Sequence, residues 1–575
     1  MKTVSNRASH FFPKKKSWRF VIASFSKKQW YTFLVLVGIL IISTILILRE
    51  TNNKLLVTIP TYGGTIKEGI IGTPRFINPV LAISDADKDL TALVYSGLMK
   101  KTSTGNLVLD IAESYEVSPD GLTYTFVLKE YAVFHDGKPI TANDVIYTIN
   151  KIKNPSIKSP KRIAWEGVNV AATSEKTVVF TLKQPFAAFL ENASIGIIPF
   201  HQWSETTDDE FSFSDYNIKG IGSGPYEISK VVKKSSGVPE SISLKSFKDS
   251  TLGKPYINSF EFIFYPNERE LMKGLKNGSV EQVNAISPKD AIELEEIKGR
   301  VETTSLSRVF GLFFNQNQAP IFTDKNIIRA FDIGIDKSKI INEVLLGYGK
   351  IIDSPIPQHM LEKEEVLIAS TYNKEEAMAL LEKSGWVLGQ DGIRAKAGKA
   401  LEFSLATGDT PELKEATELI RQDLEGLGVR VEVKVFETGN LNQNVIQPRK
   451  YDALFFGQII NNESDLYAFW HSSQRNDPGL NIASYTNAKA DELLESALIT
   501  ENREERITQY LAFEAEIKKD MPAVFVYTPD FIYVVKDDLK GFDFNRITTP
   551  SDRFATIKDW YIDIDRVWKF FDPAQ

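Results

Sequence analysis

The sequence predicts a mixed α/β protein whose large body follows a single membrane-spanning helix. Two observations lead to this fold class. A strand, a helix and a second strand follow one another in residues 401–435, a pattern that places two parallel strands in one sheet. Residues 30–48 form one apolar run of the length that crosses a bilayer.

The N-terminal region divides into a basic tail and an apolar segment. Residues 1–29 contain eight basic and no acidic side chains, and residues 30–48 contain nineteen consecutive uncharged residues. As a helix the second segment is about 28 Å long, close to the thickness of a bilayer core. Because basic flanks stay in the cytoplasm, we expect residues 49–575 in the periplasm or outside the cell. The run ends in LILRETNN without a small-residue cleavage pattern, which favours an uncleaved anchor over a signal peptide.

The formal net charge of −7 divides unequally between the two sides of the expected membrane. The tail carries +8, so residues 49–575 carry 60 basic and 75 acidic side chains, a net charge of −15. An acidic body argues against nucleic acid as a partner and is compatible with a small ligand or a protein. The absence of cysteine excludes disulfides, a thiol nucleophile and a cysteine-linked lipid anchor.

Apolar spacing and turn residues predict the elements in the first half of the body. Thr141 suits the N-cap of a helix, and Ser118-Pro119-Asp120-Gly121 has the composition of a tight turn between two strands. The predicted elements are a helix over 85–99 that Gly97 ends, paired strands over 115–128, a helix over 141–152, and strands at 178–182 and within 245–265.

The second half of the body contains the clearest strand–helix–strand unit. A strand at 401–407 precedes a helix with apolar residues three and four apart, and Gly428 ends that helix. Alternating valines from Val429 to Val435 form the second strand. Helices at 327–335 and 339–346 precede this unit, and a strand at 453–460 follows it.

Motifs of common catalytic and phosphate-binding sites are absent from the sequence. The five histidines lack metal-ligand spacing, so we expect no catalytic residue, no metal and no cofactor. We interpret the glycine cluster at 220–225 as a turn or hinge, and His135-Asp136-Gly137 as a turn. A surface hydrolase stays an alternative that no nucleophile constellation supports.

The stretch DIAESYEVSPDGLTYTFVLKEYAVFHDGKPITANDVIYTINKI at 110–152 is the most characteristic part of the body. It resembles the signature of the family 5 extracellular solute-binding proteins, the oligopeptide-, dipeptide- and nickel-binding components of ABC importers. Further similar segments follow in the family's order, and the resemblance covers about residues 58–570. These segments are at 72–81, 222–228, 308–349, 372–386 and 479–497.

The resemblance implies a two-lobed clamshell of the periplasmic-binding-protein type, type II, with three domains. Lobe I is then discontinuous, and domain II is inserted in it. Lobe II, which is domain III, contains the strand–helix–strand unit. The implied boundaries are 55–93, 200–308 and 527–575 for lobe I, 94–199 for domain II and 309–526 for lobe II.

The resemblance also implies where ligand binds. Peptide-binding members hold the free amine of the ligand with an aspartate of the second lobe, and the similar position here is Asn461. Glu463 and Asp465 are the nearest carboxylates, with a solvated loop as the alternative reading. The candidate ligand-binding residues are Ser84, Asp85, Tyr226, Asn461, Glu463, Asp465, Trp470 and His471. For Tyr226 and Trp470 a core position is the alternative.

The function that the resemblance implies is capture of a peptide outside the cytoplasm by a membrane-anchored, monomeric receptor. The receptor would deliver the peptide to the permease and ATPase subunits of an ABC importer. A membrane-tethered sensor or peptide chaperone without transport is one alternative. Binding of another solute, such as a nickel complex, is a second.

Overall fold

The computed structural model describes residues 23–571 except 187, 285, 298–299, 362–370, 501 and 544. Most of the predicted basic tail therefore lies outside the described residues. The chain forms two compact units, Met1–Thr61 with Asp563–Gln575, and Tyr62–Ile562.

Helices and strands are interspersed along the chain, as the fold class predicts. The helices are α1 Lys27–Leu55, α2 Asp85–Val94, α3 Ala142–Lys153, α4 Phe189–Asn192, α5 Phe200–Trp203, α6 Asp208–Phe211, α7 Glu268–Lys276, α8 Pro288–Ile297, α9 Lys325–Gly334, α10 Lys337–Glu343, α11 Lys374–Lys383, α12 Pro411–Gly426, α13 Thr438–Asn440, α14 Asp465–Trp470, α15 Ala488–Ile499 and α16 Arg503–Asp520. The strands are β1 Leu56–Pro60, β2 Gly63–Ile71, β3 Met99–Lys101, β4 Leu107–Leu109, β5 Ala112–Val117, β6 Thr123–Leu128, β7 Asn169–Ser174, β8 Thr177–Thr181, β9 Tyr226–Lys233, β10 Pro239–Ser246, β11 Ile257–Tyr265, β12 Gln282–Asn284, β13 Arg300–Ser305, β14 Arg308–Phe314, β15 Gly349–Ile351, β16 Val387–Leu388, β17 Arg394–Lys396, β18 Lys399–Ala400, β19 Glu402–Gly408, β20 Arg430–Phe436, β21 Ala453–Ile459, β22 Ala523–Val535 and β23 Ile564–Trp568.

The first unit is a long apolar helix joined to a two-stranded ribbon. Helix α1 begins at a capping box between Ser26 and Gln29, and it has no buried residue. It is long and apolar enough to cross a membrane, and it contains the segment predicted at 30–48. Its end leads directly into β1, which pairs antiparallel with β23 from Leu56 opposite Trp568 to Pro60 opposite Ile564.

The second unit is built around one large mixed sheet. Its strands lie in the order β20-β19-β21-β14-β22-β12-β2-β11-β10-β9, and β13 and β15 also pair with β22. A separate antiparallel sheet has the order β5-β6-β8-β7. The predicted strand–helix–strand unit is confirmed, because β19 and β20 are parallel neighbours and α12 connects them.

In the middle of this large sheet, β22 lies beside the segment that contains β13 and β14. Residues 523–527 of β22 pair with β14, and residues 530–535 pair with β13. Between the two pairings, the Leu306 N–H donates to the Pro529 carbonyl at 3.0 Å, and the Thr528 hydroxyl donates to the Leu306 carbonyl at 2.8 Å. We call residues 305–308 and 528–530 the crossover.

Separate hydrophobic cores lie on the two sides of the crossover. One contains Ile66, Phe126 and Phe260, and another contains Leu312, Phe331, Ile420 and Phe455. A third packs against the other face of β14 and contains Phe313, Trp470 and Phe513. The lobe boundaries inferred from the resemblance stay a prediction, since residues 62–562 group as one compact unit.

Most local predictions are confirmed. The strands at 115–128 are β5 and β6, and α3 begins with the predicted Thr141 cap, whose N–H and hydroxyl both donate to Asp144. The helix predicted over 85–99 is wrong at its C-terminal end, because α2 stops at Val94.

The glycine cluster packs directly against the end of α2. A Cβ on Gly222 would lie 1.9 Å from the Val94 carbonyl oxygen, and one on Gly224 would lie 2.5 Å from that of Leu93. The Gly224 N–H also donates to the Val94 carbonyl at 2.8 Å. The glycines therefore allow two backbone segments to meet, which explains why the helix ends three residues before Gly97.

Candidate functional site

A polar cavity of about 300 Å³ lies at the crossover. Residues from β13, β14 and β22 form its walls, so its position follows directly from the strand order. It is lined by Thr303, Thr304, Ser305, Leu306, Arg308, Val309, Lys350, Ile352, Ile356, Pro357, Gln358, Thr528, Asp530 and Asn545.

Arg308 is the most unusual group in this cavity. It is the first residue of β14, and its buried Nε has no hydrogen-bond partner among the described residues. Burial lowers the pKa of its guanidinium, and the charge of Asp85 acts in the opposite direction. A partly buried cation whose Nε lacks a partner is costly, so Arg308 would gain from a bound anion.

Lys350 and Asp530 add further charge to the cavity. Burial raises the pKa of Asp530, while a hydrogen bond of 3.0 Å from Ser305 and the charge of Lys350 lower it. With Arg308 the cavity lining carries two cationic side chains and one carboxylate. Its net positive charge suits a carboxylate ligand group.

A second charged region, which we call the acidic cluster, brings together Glu191, Glu463 and Asp465. Burial raises the pKa of Glu191, which is also raised by the charges of Glu463 and Asp465 and lowered by those of Lys101 and Arg546. These residues come from segments far apart in sequence. They include segments that the resemblance places in different lobes.

Arg546 is held beside this cluster by close backbone packing. A Cβ on Gly105 would lie 2.5 Å from Nη1 of Arg546, and the Arg546 N–H donates to the Ser103 carbonyl at 2.9 Å. Its Nε is buried without a hydrogen-bond partner in the described part of the chain. Burial lowers the pKa of Arg546, and the charges of Glu191 and Glu463 raise it.

The two carboxylates predicted near Asn461 differ in their surroundings. Glu463 forms an ion pair with Arg506 at 2.8 Å. Asp465 instead accepts hydrogen bonds at Oδ2 from the N–H groups of Asn461 at 2.7 Å and Asn462 at 3.1 Å. Burial raises the pKa of Asp465, and these hydrogen bonds act against that rise. Asn461 itself is exposed.

The aromatic candidates lie in hydrophobic cores. Tyr226 has no exposed surface, and its hydroxyl donates to the Ile257 carbonyl at 3.0 Å. Trp470 also has no exposed surface and packs near Phe313. The structure therefore places both side chains in the alternative core positions.

The remaining candidates occupy the ends of helices. Ser84 is the N-cap of α2 and accepts a hydrogen bond from the Asp87 N–H. Asp85 is exposed at the start of the same helix and acts electrostatically on Arg308. His471 is buried, and its ring lies 2.8 Å from the Ser473 hydroxyl and 3.2 Å from a Glu495 oxygen.

The structure thus joins some predicted residues to groups that sequence reasoning missed. Asp85 acts electrostatically on Arg308, Glu463 and Asp465 act on Glu191, and Glu463 also acts on Arg546. The residues that the sequence did not indicate are Glu191, Arg308 and Arg546. Each has no local sequence signal beyond a charge beside a strand or helix. Within the part of the chain that the structure describes, no group of three His, Cys, Asp or Glu side chains is placed to hold a metal ion.

Comparison with known proteins gives consistent matches over most of the chain. The model of the bacterial extracellular solute-binding proteins, family 5 (middle region), matches residues 106–479. The oligopeptide-binding protein AppA of Bacillus subtilis is 28% identical over 516 residues, which cover 88% of this chain and 92% of AppA.

Solved structures agree with the sequence matches. AppA from Bacillus subtilis in complex with a nonapeptide has a TM-score of 0.68 at 26% identity, covering 88% of this chain and 100% of AppA. NikZ from Campylobacter jejuni in complex with Ni(L-His) has a TM-score of 0.69 at 25% identity, covering 86% and 99%. The predicted fold class, a two-lobed α/β binding protein of type II, is confirmed.

Proposed function

This chain belongs to the bacterial extracellular solute-binding proteins of family 5, and we propose that it captures peptides outside the cytoplasm for the permease and ATPase of an ABC importer. The observation that carries this proposal is the family match over residues 106–479, together with the likeness to AppA over 88% of the chain. Binding is the whole of its activity, and it acts as a monomer without catalysis.

The crossover supports a lobe division at the predicted boundaries. Two neighbouring strands connect separate hydrophobic cores, so rotation about 305–308 and 528–530 can move one core relative to the other. Lobe I then comprises 55–93, 200–308 and 527–575, with domain II at 94–199, and lobe II comprises 309–526. Closure of these lobes on a peptide would bury it from water.

Charge supports a particular orientation of the peptide. A peptide has a cationic amine at one end and an anionic carboxylate at the other. Glu191 and Asp465 are partly buried carboxylates with raised pKa values, so a bound ammonium would stabilise both of their ionised forms. Arg308 in the crossover cavity would receive the carboxylate.

The first experiment identifies the ligand and tests the class of solute. Full-length protein purified in detergent is examined by mass spectrometry for copurified peptides, and those peptides are titrated back by tryptophan fluorescence. Saturable binding of peptides is expected. Binding of a nickel–histidine complex with no binding of any peptide from a diverse library would refute the proposal.

The second experiment tests the amine site with matched variants. We expect Asp465→Asn and Glu191→Gln each to weaken binding about tenfold or more, the cost of a charge-assisted hydrogen bond. Glu415→Gln changes an exposed carboxylate of α12 and should leave affinity unchanged. N-acetylation of the peptide should reduce the affinity of the unaltered protein and abolish the difference between it and Asp465→Asn.

The carboxylate site is tested in the same way at the other end of the peptide. Amidation of the peptide C-terminus should weaken its binding to the unaltered protein. Arg308→Met should weaken binding of the free acid and no longer distinguish acid from amide. Arg308→Lys keeps the charge and should retain part of the discrimination. Equal discrimination by Arg308→Met and the unaltered protein would rule out this site.

The role of α1 as an uncleaved anchor rests on the ribbon that follows it. The helix continues to Leu55, and the side chain of Asn52 accepts a hydrogen bond from Trp568 at 2.9 Å. Cleavage of a signal peptide beyond Asn52 would remove this contact. The mass of protein extracted from membranes should include residues 1–55. Quantitative release by alkaline carbonate would exclude the anchor.

A further inference from the structure

Exposed aromatic side chains are concentrated at the end of the ribbon in the first unit. Trp568, Phe570 and Phe571 are 52%, 87% and 65% exposed, and the rings of Phe570 and Phe571 lie 5.2 Å apart. Large apolar side chains clustered on a surface are unfavourable in water and typical of contact sites. Their location in the unit that contains α1 indicates what they contact.

The strand pairing directs these residues towards the membrane end of α1. Strand β23 runs antiparallel to β1, so Trp568 lies opposite Leu56, the residue that immediately follows the helix. Residues 569–571 continue past that point as a short helical turn. The chain therefore returns to the place where α1 ends.

A hydrogen bond fixes the height of Trp568 along α1. Its Nε1–H donates to Oδ1 of Asn52 at 2.9 Å. Asn52 lies four residues beyond Leu48, the last residue of the apolar run, and four residues of helix rise about 6 Å. That distance beyond the hydrocarbon boundary lies in the headgroup layer, where tryptophan side chains are enriched in membrane proteins.

The polar groups around this site are those of an interface. Arg49, Glu50 and Lys54 occupy the last turns of α1, and Glu50 and Lys54 form an exposed ion pair at 3.4 Å. Lys569 lies between Trp568, the last residue of β23, and Phe570 of the following turn. Long basic side chains beside aromatic rings are typical of the lipid–water boundary.

We propose that Trp568, Phe570 and Phe571 insert into the outer headgroup layer of the same phospholipid membrane that α1 spans. The lipid surface is continuous with the exposed surface of α1, so no other partner is needed to cover these rings. The ribbon then has two membrane contacts, one at each strand. The inference rests on the proposed anchor, and its test separates the two.

The cysteine-free sequence allows single nitroxide labels in the full chain. Ile41→Cys, Phe571→Cys and Phe213→Cys are each labelled and reconstituted in vesicles of phosphatidylcholine and phosphatidylglycerol. Phe213 is 83% exposed in the second unit and serves as the aqueous reference. Collision of each label with oxygen, which concentrates in lipid, and with a water-soluble nickel chelate reports its depth.

Residue 571 should show a several-fold loss of nickel accessibility relative to 213, with a depth shallower than that of 41. A second comparison uses a label on Lys569→Cys, with and without the triple change Trp568→Ala, Phe570→Ala and Phe571→Ala. The triple change should make the label at 569 accessible to the water-soluble nickel chelate. If the label at residue 571 is as accessible to nickel as the label at 213 while the label at 41 is shielded, this inference is overturned and the proposed anchor stands. An aqueous label at 41 would overturn the anchor as well.

Discussion

Loss of the Arg553 side chain should strongly destabilise the second unit. It has no exposed surface, and its guanidinium contacts two buried carboxylates. Nη1 and Nη2 donate to Asp89 at 2.8 and 2.7 Å, and Nη2 donates to Glu68 at 2.6 Å. The Tyr533 hydroxyl of β22 lies 3.0 Å from the second Glu68 oxygen. One cation therefore bridges two carboxylates, one from β2 and one from α2, beside β22.

The magnitude follows from what Arg553→Met leaves behind. Breaking a buried ion pair costs about 3–5 kcal/mol, because the remaining charge is not compensated. Asp89, whose pKa burial raises to about 6, can escape this penalty by binding a proton. For a group of ordinary pKa 3.8, protonation at pH 7 costs about 4 kcal/mol, and at pH 5 about 2 kcal/mol. We therefore expect a loss of about 4 kcal/mol at neutral pH that becomes smaller towards pH 5.

Urea unfolding of the full chain, followed by tryptophan fluorescence at pH 7 and pH 5, measures this loss. Arg430→Met is the matched control, because Arg430 is exposed and pairs with Glu402 at the surface. Such a pair contributes about 1 kcal/mol or less. The combination of Arg553→Met with Glu68→Gln and Asp89→Asn should recover part of the stability. The reasoning is refuted if Arg553→Met costs no more than the control, or if its cost is the same at both pH values.

Three further changes have defined outcomes. The pKa of His135 is lowered to about 4, chiefly by burial. Its Nδ1 accepts from the Gly222 N–H, and its Nε2 lies 3.1 Å from the Gly224 carbonyl. As the pH falls, His135 binds a proton in the unfolded chain before it does so in the folded chain. The free energy of unfolding should therefore decrease between about pH 6.5 and 4, by on the order of 2 kcal/mol at pH 5. The His135→Gln variant should flatten that part of the dependence of the urea midpoint on pH. Gly222→Ala should lower the free energy of unfolding in urea by about 1–3 kcal/mol, because the added Cβ would collide with the Val94 carbonyl. In the control Gly439→Ala the added Cβ makes only ordinary contacts, so stability should be nearly unchanged. Trp470→Ala should lower the free energy of unfolding by about 3–5 kcal/mol, because it truncates a core side chain. Peptide affinity, measured well below the unfolding midpoint, should stay within a few-fold of that of the unaltered protein. A selective loss of affinity would show that Trp470 belongs to the binding site.

Local features of the fold could be predicted because their causes lie within short stretches of sequence. The helix α12 and its flanking strands are specified by apolar residues three and four apart and by alternating valines. The Thr141 cap is specified by the residue three positions later. The end of α2 could not be predicted, because it depends on Gly222 and Gly224, which approach it from more than a hundred residues away.

The candidate site was predictable only where a resemblance supplied positions. Asp465 lies near the position that the resemblance indicates, but Glu191 and Arg546 reach it only through the folded topology. A single charge beside a helix or strand has the same local pattern whether it faces solvent or a cavity. Tyr226 and Trp470 could not be assigned from sequence for a different reason. An aromatic side chain suits a pocket wall and a hydrophobic core equally well.

The crossover explains why the charged groups of the site come from such distant segments. Strand β22 pairs with β14 on one side of 528–530 and with β13 on the other, so groups from both halves of the sheet converge there. Arg308 begins β14 at this point and Asp530 lies on β22, which places both charges in one cavity. A rotation about these strands would change the separation between Glu191 of the proposed domain II and Asp465 of the proposed lobe II. A cationic ligand group that neutralises one of these two carboxylates would therefore favour one arrangement of the lobes, which couples binding to closure.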